Sequence, residues 1–401
     1  MENSAMLAPL RVSSSAVGRL STEGAFAVLA RSRELEAQGR HLVHLEVGEP
    51  DFDTPEHIKR AGIAAIEANH THYTPSSGIA PLRDAVAVYA AKFRSLDTIS
   101  RDEVVISPGL KILIWNVLLA LLDAGDEIMY ADPAYQSYSN GAAYLQARAL
   151  PIRLLEETNF RLDLDELAAK ISDRTKVLVL NFPHNPTGGV LTRDDLERIA
   201  ELCIKHDVIV VSDEIYSRNI YDRPFVSIAS LPGMRERTII LDGFSKAYAM
   251  TGWRLAYGVM PAAIARDVIL INNNTFSCTA TFVQHAGIAA LQGPDEPTQA
   301  MVAEFRRRRE AIVRGLNSLP GFHCPTPAGA FYAFPNVKAI THDDKKLASF
   351  LLEEGSVAAI GGSCFGEAGR GYMRFSYANS LENINLAIER MREALPRFTS
   401  P

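Results

Sequence analysis

Lys246 lies in a stretch, 242–254, that places Ser245 immediately before it and Arg254 eight residues after it. The run 238–241 just upstream is β-branched and apolar and reads as a buried strand. An ammonium at the end of such a strand, among small and apolar neighbours, is poorly solvated. Its pKa falls, and a neutral amine becomes available to condense with an aldehyde as a Schiff base. Ser245 offers a hydroxyl and Arg254 a planar fork of donors suited to a phosphate, with Gly252 between them able to bend the chain. A lysine beside such a pair points to a phosphorylated aldehyde cofactor.

Other residues extend this chemistry. Gly109, Leu110 and Lys111 form the turn between a strand at 103–107 and an apolar helix at 112–122, where free backbone N–H groups can hold an anion. Asp213 closes the apolar run 208–212, at the strand end where open α/β sheets bind ligands, although a carboxylate there can equally cap a helix. Arg374 interrupts the apolar strand 372–377. A buried arginine needs an anion, which is either an internal carboxylate or that of a substrate.

The strings Ser245 to Tyr257, Asn185-Pro186-Thr187-Gly188 and Asp213-Glu214-Ile215-Tyr216 resemble the pyridoxal-phosphate aminotransferases of the aspartate aminotransferase fold, the class I/II family. The resemblance runs from about residue 21 to 390, with five motifs in the expected order. It implies fold type I: an α/β large domain with a mainly parallel sheet, and a smaller α/β domain built from both ends of the chain. It also implies a role for each site residue. Lys246 binds pyridoxal 5'-phosphate and moves protons; Asp213 pairs with the pyridine nitrogen. Asn185 and Tyr216 donate to the phenolic oxygen, and Tyr135 stacks on the ring. Ser245, Arg254 and the turn Gly109, Leu110 and Lys111 hold the phosphate, with Tyr73 reaching across a homodimer interface to the partner's cofactor. Gly48, Asn185 and Arg374 receive the substrate.

The implied activity is ping-pong transfer of an amino group from an L-amino acid to a 2-oxo acid. β-Elimination, carbon–sulfur cleavage and ring closure by a lyase or cyclase use the same residues and stay open. A pyridoxal-phosphate-binding regulator is disfavoured because no basic DNA-reading module precedes the domain, and an NAD dehydrogenase because no glycine fingerprint is present. The polar segment 272–279, read as a loop where some aspartate-specific relatives supply an arginine, contains none. Lys111 is then the remaining cation for a distal carboxylate. Neutral or aromatic side chains are expected to be accepted at least as well as acidic ones.

The elements that must position these residues alternate between strand and helix. Helices are expected at 21–38, at 55–68 with Thr54 as cap, and at 193–206, with strands at 41–47, 125–130, 176–181 and 327–334. Domain limits are placed at 1–47 for an arm and part of the small domain, 48–293 for the cofactor domain and 294–401 for the rest of the small domain. The chain has 401 residues, 47% hydrophobic and 22% charged, with a net charge of −6. That balance argues against nucleic acid as a partner, and no apolar run is long enough to span a membrane as a helix. Cys203, Cys278, Cys324 and Cys364 lack metal-ligand spacing and read as free thiols of a cytoplasmic protein, with no metal site. The first twenty residues read as a disordered arm, and the basic run 306–309 as a solvated helix face.

Overall fold

In the computed structural model, which describes residues 13–22 and 24–399, the apolar runs read as buried strands come together in one eight-stranded sheet. Its central strands, Thr238–Gly243, Ile209–Asp213, Thr175–Asn181, Glu127–Asp132 and Arg148–Leu155, pair in parallel in that spatial order. Ala256–Val259 and Val104–Ser107 continue one edge antiparallel, and Arg161–Leu162 closes the other. Thr175–Asn181 and Ile209–Asp213 are buried along almost their whole length, because helices cover both faces. That is why these strands read as continuous apolar runs rather than alternating ones. Parallel register sets Asn181 level with Asp213, so the carboxyl ends of neighbouring strands present polar side chains to one crevice.

Over this crevice lies a second layer. Tyr332–Ala333 and Ile360–Gly361 flank Met373–Ser376 in an antiparallel sheet. Val43–His44 pairs in parallel with Val357–Ala358, so the two ends of the chain meet. The helices Glu296–Asn317, Asp344–Gly355 and Leu381–Ala394 pack on these strands around a core that includes Phe305, Phe331, Leu351 and Phe375.

Several local expectations are corrected. The strand read at 41–47 shrinks to Val43–His44 because the next carbonyls take irregular partners: Leu45 O accepts from Ser376 N–H and Glu46 O from Arg374. The strand read at 327–334 is likewise only Tyr332–Ala333. Thr54 does not cap the helix Glu56–Glu67. Its hydroxyl donates to Ala249 O and accepts from Trp253 Nε1, and Pro55 takes the N-cap position. Residues 272–275 belong to the helix Ala262–Thr275, not to a loop. There the buried Asn272 accepts from Asn116 Nδ2 at 2.8 Å, and Thr275 back-bonds to Ile271 O at 2.9 Å, so tertiary pairing satisfies polar groups that read as loop-forming.

The basic run 306–309 is only half solvated. Arg308 and Arg309 are buried, Arg308 paired with Asp51 at 2.6 Å and Arg309 with Asp222 at 2.5 Å. Residues 1–12 of the arm lie outside the described residues, but its end is docked: Arg19 donates through Nε to Ala143 O and through Nη2 to Tyr144 O, each at 2.8 Å. A cation meets the last carbonyls of the helix Gln136–Leu145 there, a favourable end for positive charge.

Directly behind the crevice, Arg94 is buried and forked between two carboxylates. Its Nε donates to Glu214 Oε2 at 2.6 Å and its Nη2 to Asp242. Ser212 and Ser227 satisfy the other Glu214 oxygen, and Tyr257 bonds Asp242 at 3.0 Å. Removing one partner of a buried ion cluster strands the others, at a cost of about 3–5 kcal/mol. Arg94→Met is therefore expected to lower the unfolding free energy in urea by about that amount. The loss should shrink as the pH is lowered, because burial pushes the Asp242 carboxyl upward and a stranded carboxylate can be relieved by taking a proton. A change below about 0.5 kcal/mol would mean that the cluster does not brace the sheet.

Candidate active site

Lys246 follows the strand Thr238–Gly243 in the short helix Phe244–Ala247. Half-buried, it opens onto a cavity of about 310 Å³ between the sheet and the second layer, a size suited to a small ligand. Its Nζ donates to Gly48 O and stands 5.8 Å from the Phe331 ring centroid. Burial lowers its pKa to about 8; Glu49 opposes that shift while Arg374 and Arg254 reinforce it. The ammonium is therefore disfavoured at this place, in the direction the apolar surroundings in the sequence imply.

Asp213 is fully enclosed. Tyr138 O–H donates to its Oδ2 at 2.6 Å and Ile215 N–H to its Oδ1 at 3.2 Å, yet no lysine, arginine or histidine among the described residues forms an ion pair with it. Burial pushes its pKa up to about 7, against those two hydrogen bonds and with help from Asp242 and Glu214. Asn181 Nδ2 donates to Asp213 O at 3.2 Å, and Asn181 Oδ1 accepts from Asn185 N–H at 3.1 Å. Asn185 Oδ1 in turn accepts from Arg374 Nη1 at 3.1 Å. One hydrogen-bonded chain thus runs across the strand ends from the carboxylate to the arginine. Arg374 is buried, lies over the rings of Tyr332 and Phe365 at 4.6 and 4.9 Å, and has an Nε with no acceptor among the described residues.

At the other end of the cavity the helix Leu110–Leu121 starts from Gly109 with no side-chain cap, leaving its first N–H groups for an anion. Gly109 has φ +103°, and a Cβ there would stand 2.2 Å from Arg254 Nη2. Only glycine lets the guanidinium approach the turn so closely. Arg254 itself has φ +56°, an uncommon left-handed backbone for a large side chain, and its Nη1 donates to Thr251 O at 2.8 Å. Ser245, Leu110, Lys111 and Tyr135 line the same cavity, with Lys111 Nζ 5.7 Å from the Tyr135 ring centroid.

The cavity therefore gathers Gly48, Leu110, Lys111, Tyr135, Asn185, Asp213, Tyr216, Ser245, Lys246, Arg254 and Arg374. Tyr73 is not among its walls: it is 92% exposed. Residues 272–275 do not reach it either. Eight lining residues carry no site role in the sequence analysis: the apolar Leu29, Val47, Ile114 and Ile215, and the polar Tyr138, Asn181, Thr251 and Tyr332. Asn181 could have been read from its place at the end of an apolar strand, four residues before Asn185. Tyr332 gave no such signal, since its partners are distant in the chain.

These features fit pyridoxal phosphate. An enclosed carboxylate without a cation suits a protonated ring nitrogen, and an uncapped helix beside a guanidinium suits a phosphate. A family model for class I and II aminotransferases matches residues 40–391. The chain is 39% identical to an aspartate aminotransferase of Pyrococcus abyssi, covering 90% of this chain and 94% of the relative. It is 38% identical to aromatic-amino-acid aminotransferase 2 of Thermococcus litoralis, over 90% and 93%. The solved aspartate aminotransferase of Thermus thermophilus with maleate superposes at a TM-score of 0.91, with 35% identity over 96% of this chain and all of that one.

Proposed function

The chain belongs to the class I and II aminotransferases, and we propose that Lys246 is the amine that holds its cofactor and moves the substrate proton, Asp213 the partner of the cofactor ring, and Arg374 the seat of the substrate α-carboxylate. The protein is a pyridoxal-phosphate-dependent transaminase that moves an amino group from an amino acid to a 2-oxo acid. Bound pyridoxal phosphate supplies an aldehyde that joins amines and a ring that draws electrons from the substrate Cα. The remaining work falls to the side chains.

Arg254, Ser245 and the N–H groups after Gly109 bind the phosphate; Asn185 and Tyr216 donate to the phenolic oxygen, and Tyr135 shields the ring face. Lys246, neutral above about pH 8, takes the proton from Cα at its Nζ and gives it up to a different carbon, acting as base and then acid. Arg374 is held through Nη1 by Asn185 and through Nη2 by the Glu46 carbonyl, and its guanidinium at the cavity wall is the seat for a carboxylate. The observation that carries this reading is that a depressed amine, an enclosed carboxylate without a cation and a buried arginine with no carboxylate partner among the described residues share one cavity.

The enzyme acts as a homodimer in which the exposed Tyr73 reaches the partner's phosphate site, and the chain divides near 47/48 and 293/294 into cofactor and small domains. Free thiols at Cys203, Cys278, Cys324 and Cys364 support a cytoplasmic setting, and no helix of the described residues is long and apolar enough to cross a membrane. For the substrate side chain, Leu29, Val47 and Ile114 give the cavity an apolar wall while Lys111 supplies a cation. Neutral and aromatic amino acids should therefore react at least as fast as aspartate in single-turnover absorbance changes, with the oxo acid identified by mass. Lys111→Ala should lower kcat/KM for aspartate by about 10- to 100-fold, the value of one charge-assisted bond, and leave phenylalanine within about threefold. A strict aspartate preference that collapses in this variant would narrow the enzyme to dicarboxylates, and pyruvate with ammonia from a β-substituted substrate would make it a lyase.

A further inference from the structure

Tyr332 touches three parts of the site without having been given a task in it. It is buried on the strand Tyr332–Ala333, opposite Ser376 of the neighbouring antiparallel strand. Arg374, two residues along that neighbour, therefore lies on the same face, and its guanidinium sits 4.6 Å from the Tyr332 ring centroid. The Tyr332 hydroxyl is 2.7 Å from that of Tyr216. A Cβ on Gly48 would stand 2.0 Å from the same oxygen, so the phenol reaches its position only because residue 48 has no side chain. Gly48 in turn accepts the Lys246 amine through its carbonyl.

We propose that Tyr332 is a positioning residue: its hydroxyl donates to Tyr216, leaving the Tyr216 proton to point into the cavity, while its ring seats the Arg374 guanidinium. The proposal rests on the role given above to Tyr216.

Two buried phenols in contact share their protons in one of two orders. If Tyr216 donates to Tyr332, its proton is spent inside the pair; if Tyr332 donates, the Tyr216 proton is free for an acceptor in the cavity. The surroundings choose the second order. Arg374 favours negative charge on both phenols, but it lies directly against the Tyr332 ring, and only Tyr216 also feels Asp213, which opposes such charge. The more acidic phenol is the better donor. A donor that is itself hydrogen-bonded through its oxygen is also polarised and donates more strongly.

The test uses the holoenzyme with Tyr332→Phe, Tyr216→Phe and the double variant, titrating the visible absorbance of the lysine-bound cofactor against pH. A strong donor at Tyr216 favours the unprotonated chromophore, so weakening it raises the midpoint. Tyr216→Phe is expected to raise the midpoint by about one unit and Tyr332→Phe by roughly half a unit, with the double variant no higher than Tyr216→Phe alone. Tyr332→Phe keeps the ring and should leave KM for the amino acid unchanged, while Tyr332→Leu removes the ring and should raise KM about fivefold. A shift in Tyr216→Phe with none in Tyr332→Phe would overturn the proposal alone, as would a double variant whose shift equals the sum of the two. An unmoved midpoint in Tyr216→Phe would instead remove the role given to Tyr216, and the proposal with it.

Discussion

Lys246→Ala will bind pyridoxal phosphate and fail to turn over, with a loss on the order of ten-thousand-fold or more, the upper range for a group that serves as both base and acid. The side chain is the amine that opens onto the cavity from the end of the Thr238–Gly243 strand, held by the Gly48 carbonyl. Burial keeps its pKa near 8, so an appreciable neutral fraction exists at physiological pH. Borohydride treatment of the holoenzyme followed by peptide mapping should find the modified lysine at 246. Modification at any other lysine, or a variant that retains more than about a hundredth of normal turnover, would remove Lys246 from the centre of the mechanism. The same depressed pKa has a consequence for stability. The folded apoprotein gives up this proton near pH 8, and the unfolded chain keeps it until about 10.5. The unfolded state thus binds more protons between those values, and the stability of the wild-type apoprotein rises with pH across that window. Below it the charged amine is a burden that Lys246→Met lacks. The Met variant should accordingly melt higher than wild type at pH 7, with an advantage that shrinks by pH 10. An advantage unchanged between the two pH values would mean that the ammonium is not strained by burial.

How much of this could be seen in the sequence depends on how local each signal is. Lys246, Asp213 and Asn185 each follow a continuous apolar run, and a run of that kind implies a strand buried on both faces, whose carboxyl end faces a crevice. Strand order and residue type put them at one crevice, while their separate roles came from the family resemblance of the strings around them. Arg374 was legible for a different reason, as a charge inside an apolar strand that had to find an anion. The misread segments are those where a distant partner decides. The asparagines and threonine at 272–275 look like a loop until Asn116 takes the side chain of Asn272, and Arg308 looks solvated until Asp51, more than two hundred residues away, pairs with it. Thr54 had the right type for a cap, but Trp253 and Ala249 claim its hydroxyl. Tyr332 belongs to the same class. Its partners Tyr216 and Arg374 come near it only through the packing of the second layer on the sheet, and no periodicity along the chain encodes that meeting.

Asp213→Asn separates the two tasks that sequence left open for this carboxylate. As a neutral isostere, asparagine can still accept from the Ile215 N–H, the bond that a purely capping residue would make, but it cannot balance a cationic ring. A capping role predicts near-normal turnover in Asp213→Asn and a loss only in Asp213→Ala. Pairing with the cofactor predicts that both variants lose on the order of 1,000-fold, as when a preorganised electrostatic partner is removed, or about 4 kcal/mol of barrier at 1.4 kcal/mol per factor of ten. Pyridoxal phosphate should also bind the Asn variant more weakly in fluorescence titrations of the apoprotein, a readout that needs no turnover. Without the cofactor the sign reverses. Burial raises the Asp213 pKa to about 7, so the folded apoprotein binds a proton that the unfolded chain has released above about 3.8. This group's contribution to stability is therefore full below pH 3.8 and is lost as pH rises through 7. Asn carries no such charge, and the Asn apoprotein should be the more stable of the two at pH 8 while being the poorer enzyme. Finding the wild-type apoprotein more stable at that pH would mean that the ionised carboxylate is already compensated by its hydrogen bonds from Tyr138 and Ile215, and that no cation is needed to hold it there.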